Sequence, residues 1–529
     1  MERPVTAPHG MVVTPHHLAT QTALSILREG GTAMEAVVAA AATTAVVYPH
    51  MNGLGGDSFW LIVPPEGDPI AIEASGVAGS LATPEFYKGH DTIPFYGPKA
   101  ANTVAGTVGG WQEALNYVNE CGYTSMPISR LLADAIMYAE NGFPVSVSQE
   151  LDTKEEKLTN RTFSEDFKKI YLPNDEIPKA GEIFVQKKLA ETLKRLVEEG
   201  LMSFYRGNIA KLIADDMKNL NMPITESDLR NYLPVRKTPL RLLHKHGEIF
   251  NLPPPTQGLV SLCILGILDR LDINGKYEGE FIHAIVEATK QAFTVRDQYI
   301  TDPKHMTIDP RELLTNERLT KLAQAIDLNK TASYSGGKGE GDTIWLGVMD
   351  NKGYSVSFIQ SIYHSYGSGV LLPKTGILWH NRGVSFSLDQ NNVMALQPGK
   401  KPYHTLNPAA AKLSDGRLIV YGTRGGDGQP QTQAAIFHRY VVQGMPLRKS
   451  ISSPRWLYGR ETGKTDLRLK IEERFSKDTI GYLKEKGHEI AILGPYSESV
   501  GQAGALVRHT NGVMEGAADP RSDGSAAGF

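Results

Sequence analysis

Apolar residues recur at helical spacing across positions 18–28 and stop at Gly30-Gly31, so the spacing predicts an amphipathic helix there. Positions 33–47 are Ala-rich and apolar on all sides apart from Glu35. That run is too short and too weakly apolar to span a bilayer, which takes about 20 residues, so it predicts a buried helix. A glycine turn, Gly53-Leu54-Gly55-Gly56, feeds a strand ending at Val63, and residues 69–76 read as a second strand. From 101 to 330 the pattern is mainly helical with loops. Within it, 149–175 is charged and predicts a solvated stretch. An apolar helix at 259–267 follows the rigid turn Pro253-Pro254-Pro255, and another helix covers 283–293.

Four glycines in Gly336-Gly337-Lys338-Gly339-Glu340-Gly341 exclude a helix interior and predict a mobile loop. Beyond it the chain turns apolar, β-branched or aromatic at 344–349, and Asp350-Asn351-Lys352-Gly353 supplies a turn into a second strand at 354–359. A further hairpin spans 409–420, turning at Ser414-Asp415-Gly416, and a helix covers 431–443.

Charge changes the picture by exclusion. Basic and acidic residues nearly balance, 55 against 58, which removes the electrostatic case for nucleic acid or an anionic membrane as partner. Cys121 and Cys263 alone point away from a disulfide framework and toward a reducing compartment. Residues 1–9 lack the apolar core of a secretory signal, so a cytoplasmic location is expected. With 529 residues the chain has material for several domains or for one large α/β body, and no repeat or low-complexity tract divides it.

Two motifs invite a ligand and do not carry one. The turn at 53–56 has neither phosphate-loop spacing nor a following Lys-Ser/Thr, and a strand follows it, so a nucleotide is not expected. His283 and Glu287 share a helical face at i and i+4, as metal ligands can. No third ligand stands at a suggestive spacing, so a buried polar pair is expected, and no metal.

Gly341-Asp342-Thr343, followed by a strand ending in Asp350, resembles the self-cleavage site of the gamma-glutamyltransferase family of N-terminal-nucleophile hydrolases. Pro49-His50-Met51-Asn52-Gly53-Leu54-Gly55-Gly56 is similar to a signature near the start of the family's large subunit. The resemblance continues through Val104-Ala105-Gly106, the segment 252–258, and the helix His283 to Phe293 with Arg296-Asp297. It runs on to Gly422-Thr423-Arg424-Gly425-Gly426 and Gly516-Ala517-Ala518-Asp519-Pro520-Arg521, covering 9–529. It implies an α+β fold, the αββα sandwich of two stacked antiparallel sheets between helical layers. It also implies a break at Asp342-Thr343 into a large subunit, 1–342, and a small subunit, 343–529, that together make one body, with a dimer of such heterodimers as a further assembly. A hydroxyl needs an adjacent base, and a chain-terminal threonine carries one in its own amine, which titrates near pH 8. Thr343 is then the nucleophile, Ser361 the second hydroxyl beside it, and Gly425 and Gly426 the oxyanion hole. No cofactor is implied.

The departures from the family pattern bear on substrate. Ser75 stands where glutamyl-transferring members place an arginine for the substrate α-carboxylate. Arg382 and Ser385 replace the amide and carboxylate that hold the α-amino group, and His404 and Thr405 replace two serines. A pocket of Arg382, Tyr363, His404 and Thr405, without an acid, favours a small amide bearing a carboxylate and lacking a free amine. In this the chain resembles the subgroup that includes oxamate amidohydrolase. Three alternatives stand beside it: a glutathione hydrolase or transferase with a rearranged pocket, an acylase for glutaryl- or cephalosporin-type amides, and a non-catalytic binding protein of the same fold.

Overall fold

The structure, a computed structural model, describes residues 4–158, 163–273, 277–334, 341–459 and 466–529. Most of the glycine loop expected to be mobile, at 335–340, lies outside the described residues. Two seven-stranded sheets organise the chain. Their strands, in chain order, are β1 (Val5–Ala7), β2 (Met11–Thr14), β3 (Asp57–Val63), β4 (Ile70–Ala74), β5 (Val235–Lys237), β6 (Leu240–His244) and β7 (Gly247–Asn251). Then come β8 (Asp342–Met349), β9 (Ser355–Tyr363), β10 (Ala409–Leu413), β11 (Leu418–Thr423), β12 (Ala503–Arg508), β13 (Met514–Ala518) and β14 (Ser525–Gly528). One sheet has the order β1-β13-β12-β11-β10-β7-β6, the other β14-β2-β8-β9-β3-β4-β5, and the pairings within both are antiparallel.

Three apolar cores follow from this stacking. Met11, Phe59, Leu61, Trp345, Ile359, Val420 and Leu506 fill the space between the sheets. On one outer side, helices α1 (His17–Arg28), α2 (Ala33–Val47) and α3 (Thr107–Glu120) cover the sheet containing β8. On the other, α4 (Gly258–Leu268), α5 (Glu278–Tyr299) and α6 (Gly428–Phe437) cover the sheet containing β11. The fold is thus the expected α+β sandwich. It also explains why β9 is buried at every position and reads as a continuous run rather than an alternation, because helices close one face and the second sheet the other.

The helices at 18–28 and 33–47 form as the spacing predicts, and Glu35 is accounted for. Thr32 caps α2, the Glu35 carboxylate accepts the Thr32 N–H at 2.7 Å, and its other oxygen accepts from Met126 N at 2.6 Å. Asp350 closes the hairpin by accepting from Lys352 N and Tyr354 N, each at 2.9 Å, while its second oxygen takes Ala33 N at the start of α2.

Two expectations need correction. The span 101–330 also contributes β5, β6 and β7, which complete an edge of each sheet. They are only three to five residues long, and the apolar Val235 and Leu243 are exposed in them, so their pattern carries little alternation. The stretch 149–175 is not solvated throughout. It contains helices Val147–Leu158 and Glu165–Tyr171, and Thr153, Phe167 and Tyr171 are buried around the ring of Tyr366. No helix among the described residues is long and apolar enough to cross a membrane.

Candidate active site

Thr343 lies at the start of β8, the second residue of a central strand. Register with β9 runs Asp342 to Tyr363 and then Ile344 to Gln360, a one-residue irregularity located at Thr343. Bulges of this kind re-aim a side chain at a strand end. The buried Thr343 hydroxyl donates to Ser361 Oγ at 3.2 Å, and Ser361 Oγ accepts the Tyr363 N–H at 2.7 Å. Trp345, two residues on, fixes the strand laterally. Its ring fills a slot over Gly422 on β11 and Gly504 on β12, where any Cβ would collide with it, and its indole N–H donates to Ser357 Oγ at 2.9 Å. The strand that carries Thr343 is thereby keyed to the end of β11, from which the Gly425-Gly426 loop departs.

Tyr363 connects the hydroxyl pair to an anion pocket. Its φ of 79° lies in the left-handed region, which costs a bulky residue on the order of 1–3 kcal/mol and marks a place over-determined by its surroundings. Its ring lies flat against the Arg382 guanidinium, 3.4 Å from ring centre to Cζ. Arg382 is 3 % exposed, its Nη1 donates to Thr405 Oγ1 at 3.2 Å, and its Nε has no partner. Among the described residues it forms no ion pair. Burial lowers its pKa from the ordinary arginine value, with Tyr363, Tyr403 and Asp57 opposing. Arginine nevertheless stays protonated, so the site holds a desolvated cation that no carboxylate of the described residues contacts as an ion pair. Arg382, Tyr363 and Thr405 line a cavity of about 610 Å³ together with Phe95, Ser385 and Tyr403.

The Gly425-Gly426 loop is as closely determined. Gly425 and Gly426 have φ of 116° and 48°, conformations open to glycine. Thr423 Oγ1 donates to the Arg424 carbonyl at 2.8 Å, and Gly428 N donates to the Gly425 carbonyl at 2.7 Å. In a planar peptide the N–H points opposite to the carbonyl, so these two bonds turn the Gly425 and Gly426 N–H groups outward from the loop. Among the described residues neither N–H donates to another group. Gln257, fully buried, ties this loop to the anion pocket. Its amide donates to the Gly426 carbonyl at 2.6 Å and to the Thr405 carbonyl at 2.8 Å, and it accepts from Tyr403 Oη at 2.9 Å.

Several placements differ from expectation. His404 stands behind the cavity wall, with its ring edge-on to Phe59 and its Nε2 3.4 Å from Asp57, and only Thr405 of that pair lines the cavity. The cavity is not free of acids, because Asp91 and Asp297 border it, although Asp297 is engaged by Arg296 Nε at 2.8 Å and by Tyr334 Oη at 2.6 Å. Ser75 donates to Glu73, whose carboxylate is neutralised by Lys237 and Lys401. Gln257, Arg296 and Asp57 were not singled out by sequence reasoning as site residues. Their signal was present in the motifs at 252–258, 296–297 and 53–57, but a buried polar role is invisible until the packing is known. The pair His283 and Glu287 does gain a third group, since His488 Nε2 lies 2.7 Å from His283 Nδ1. The Lys290 ammonium, 2.6 Å from Glu287, occupies the place where a cation would be drawn, so the cluster reads as a closed polar network.

Comparison with known proteins agrees with this geometry. The family model described as Gamma-glutamyltranspeptidase matches residues 19–529. The chain is 58 % identical over 521 residues to the oxamate amidohydrolase proenzyme of Klebsiella pneumoniae, covering 98 % of each chain. It is 39 % identical over 534 residues to a glutathione hydrolase-like proenzyme of Bacillus subtilis, covering both completely. Among solved structures, cephalosporin acylase from Bacillus halodurans superposes with a TM-score of 0.91 at 32 % identity, over 100 % of this chain and 97 % of that one. The chain belongs to the gamma-glutamyltranspeptidase family and is an N-terminal-nucleophile hydrolase acting on amide C–N bonds.

Proposed function

We propose that this protein is a self-processing amidohydrolase that converts oxamate to oxalate and ammonia through an ester on Thr343. The Thr343 hydroxyl first attacks the Asp342 carbonyl, and water resolves the resulting ester, leaving chains 1–342 and 343–529 and a free Thr343 amine. That amine then accepts the hydroxyl proton as Oγ attacks the amide carbon of the substrate. The Gly425 and Gly426 N–H groups take the oxyanion, and Ser361 orients Oγ. Collapse expels ammonia, to which the amine returns its proton, and water hydrolyses the acyl ester to oxalate.

The observation that carries this reading is the buried Arg382, a guanidinium that among the described residues has no partner at Nε and no carboxylate in ion-pair contact. It is joined through Tyr363 to the hydroxyl pair. Its planar fork suits a substrate carboxylate held beside the scissile carbonyl. The 58 % identity to the Klebsiella enzyme supports the same substrate. A second reading has its own observation: a cavity of about 610 Å³ exceeds what so small an amide needs, and drug-sized ligands fill sites of roughly 300–1,000 Å³. An acylase for dicarboxylic amides fits that room. Ammonia or amine release across oxamate, glutaryl amides, glutathione and gamma-glutamyl p-nitroanilide decides. Oxamate is expected to lead, and gamma-glutamyl p-nitroanilide to be poor because Ser75 and Ser385 supply neither of its α-anchors. Brisk turnover of the gamma-glutamyl compound would sink the oxamate reading.

A further inference from the structure

We propose that the buried ion pair between Arg296 and Asp427 positions the oxyanion loop, which makes Arg296 a positioning residue, in the 1–342 part, for chemistry performed by the 343–529 part. The inference rests on the oxyanion role proposed for Gly425 and Gly426. Both glycines sit at positive φ and carry no side chain, so apart from the carbonyl bonds given by Thr423, Gly428 and Gln257 the loop depends on its flanking residues for its place. Its ends are held instead. On one side Arg424 Nη2 pairs with Glu498 at 2.7 Å. On the other Asp427 pairs with Arg296 Nη1 at 2.7 Å, both side chains fully buried.

The Asp427 side chain forgoes its nearest use. It occupies the residue before α6, where an aspartate ordinarily accepts from the first-turn N–H groups, and it makes no such capping bond. Its carboxylate turns to Arg296, 131 residues earlier in the chain. Arg296 reaches it from α5 with its guanidinium stacked 4.0 Å from the Phe293 ring centre and its remaining nitrogens on Asp297 and Tyr334. Asp297 and Tyr403, both beside Arg296, also line the cavity, so the pair lies between the substrate wall and the loop. A buried pair gives little net stability over apolar packing of the same shape. Fixing a geometry is what this one offers that apolar packing does not.

The test is a double-mutant cycle on the full chain, with Arg296→Gln, Asp427→Asn and the double variant. Rates are taken on whichever amide of the panel the natural protein hydrolyses and normalised to the cleaved fraction. Misplacing a catalytic group by about 1 Å costs roughly a hundredfold, so kcat is expected to fall roughly tenfold to a hundredfold while KM stays within about threefold. The double variant is expected to lose no more than either single one, and Arg296→Lys to recover part of the loss. A merely structural role would lower the yield of folded enzyme without moving kcat per cleaved molecule. Unchanged kcat, a change confined to KM, or losses that add in the double variant overturn the proposal. Should Arg296→Gln fail to accumulate, Asp427→Asn, which keeps the side-chain shape, carries the same expectation and the same overturning result. Natural protein silent on oxamate but active on another amide would remove the substrate reading and leave this cycle to be scored on that amide.

Discussion

Two arginines stand at the same depth around this site and are treated in opposite ways. Arg296 is fully buried and surrounded by Asp427, Asp297 and Tyr334. Burial works against its charge, yet Asp427, Tyr403, Asp297 and Tyr334 outweigh it and hold its pKa above the ordinary arginine value. Arg382 is nearly as buried, but its neighbours are a tyrosine face and a threonine hydroxyl, and burial leaves its pKa lowered. The difference teaches where to look for the missing anion. A charge whose counter-ion lies within the protein has been spent on geometry, whereas a charge without one is addressed to something that arrives.

The most drastic way to probe this contrast leaves both cations in place and removes the chemistry. Thr343→Ala should give a single uncut chain with no amidase activity, because one hydroxyl serves cleavage and turnover. A denaturing gel and N-terminal sequencing of any fragment check it, and a fragment starting elsewhere than residue 343 would relocate the nucleophile. Next in size is stability. Arg296→Met strands Asp427 and should cost about 3–5 kcal/mol in urea unfolding, whereas Arg382→Met removes an uncompensated charge and should leave the unfolding midpoint unchanged or raised. Equal losses from the two would erase the distinction drawn here. Smaller again is Arg382→Lys, which keeps charge but loses the fork. Charge-assisted bonds of about 1.5–3 kcal/mol predict roughly a tenfold to hundredfold fall in kcat/KM on oxamate, with cleavage intact.

The smallest effect is on pH. Burial first, then Arg382, His380 and Lys401, hold the His404 pKa well below the ordinary histidine value of 6.5. The folded protein therefore binds fewer protons than the unfolded chain just below that value. The associated stability is fully present above pH 6.5 and is lost on acidification, with a slope of at most about 1.4 kcal/mol per pH unit. His404→Gln should flatten the acid limb of a stability profile measured between neutral and mildly acid pH. Arg382→Met should flatten it partly and Arg296→Met not through this group. An unaltered slope in His404→Gln would show that His404 titrates normally.

How much of this was legible beforehand depended on range along the chain. Local signals carried far: α1, α2 and the hairpin of β8 and β9 are all where spacing and turn chemistry put them. Thr343 and Ser361, both named through the family resemblance, stand 3.2 Å apart at their hydroxyls. What escaped were polar groups whose partners lie far off in sequence. Gln257 reads as a turn residue until Gly426 and Thr405 close on it, and Arg296 looks like any charged helix position until Asp427 meets it. His488 could not be matched to His283 from spacing, because the 205 residues between them carry no period. Short edge strands such as β5 failed for another reason, since solvent takes the face that would have shown alternation.

The interleaving of the two sheets has a consequence for how such a molecule can be made. Strands from before residue 342 flank blocks of strands from after it: the pair β8-β9 runs between β2 and β3, and β13-β12-β11-β10 between β1 and β7. As one chain, the protein finds this arrangement by a search whose rate is independent of dilution. With the bond before Thr343 cut as proposed, the same arrangement would have two separate strings of residues to bring together, and its apparent stability would acquire a concentration. On the proposed cleavage the uncut chain would be its own assembly template, used once and then discarded, and cleaved protein unfolded in dilute solution should recover far more slowly than Thr343→Ala treated alike.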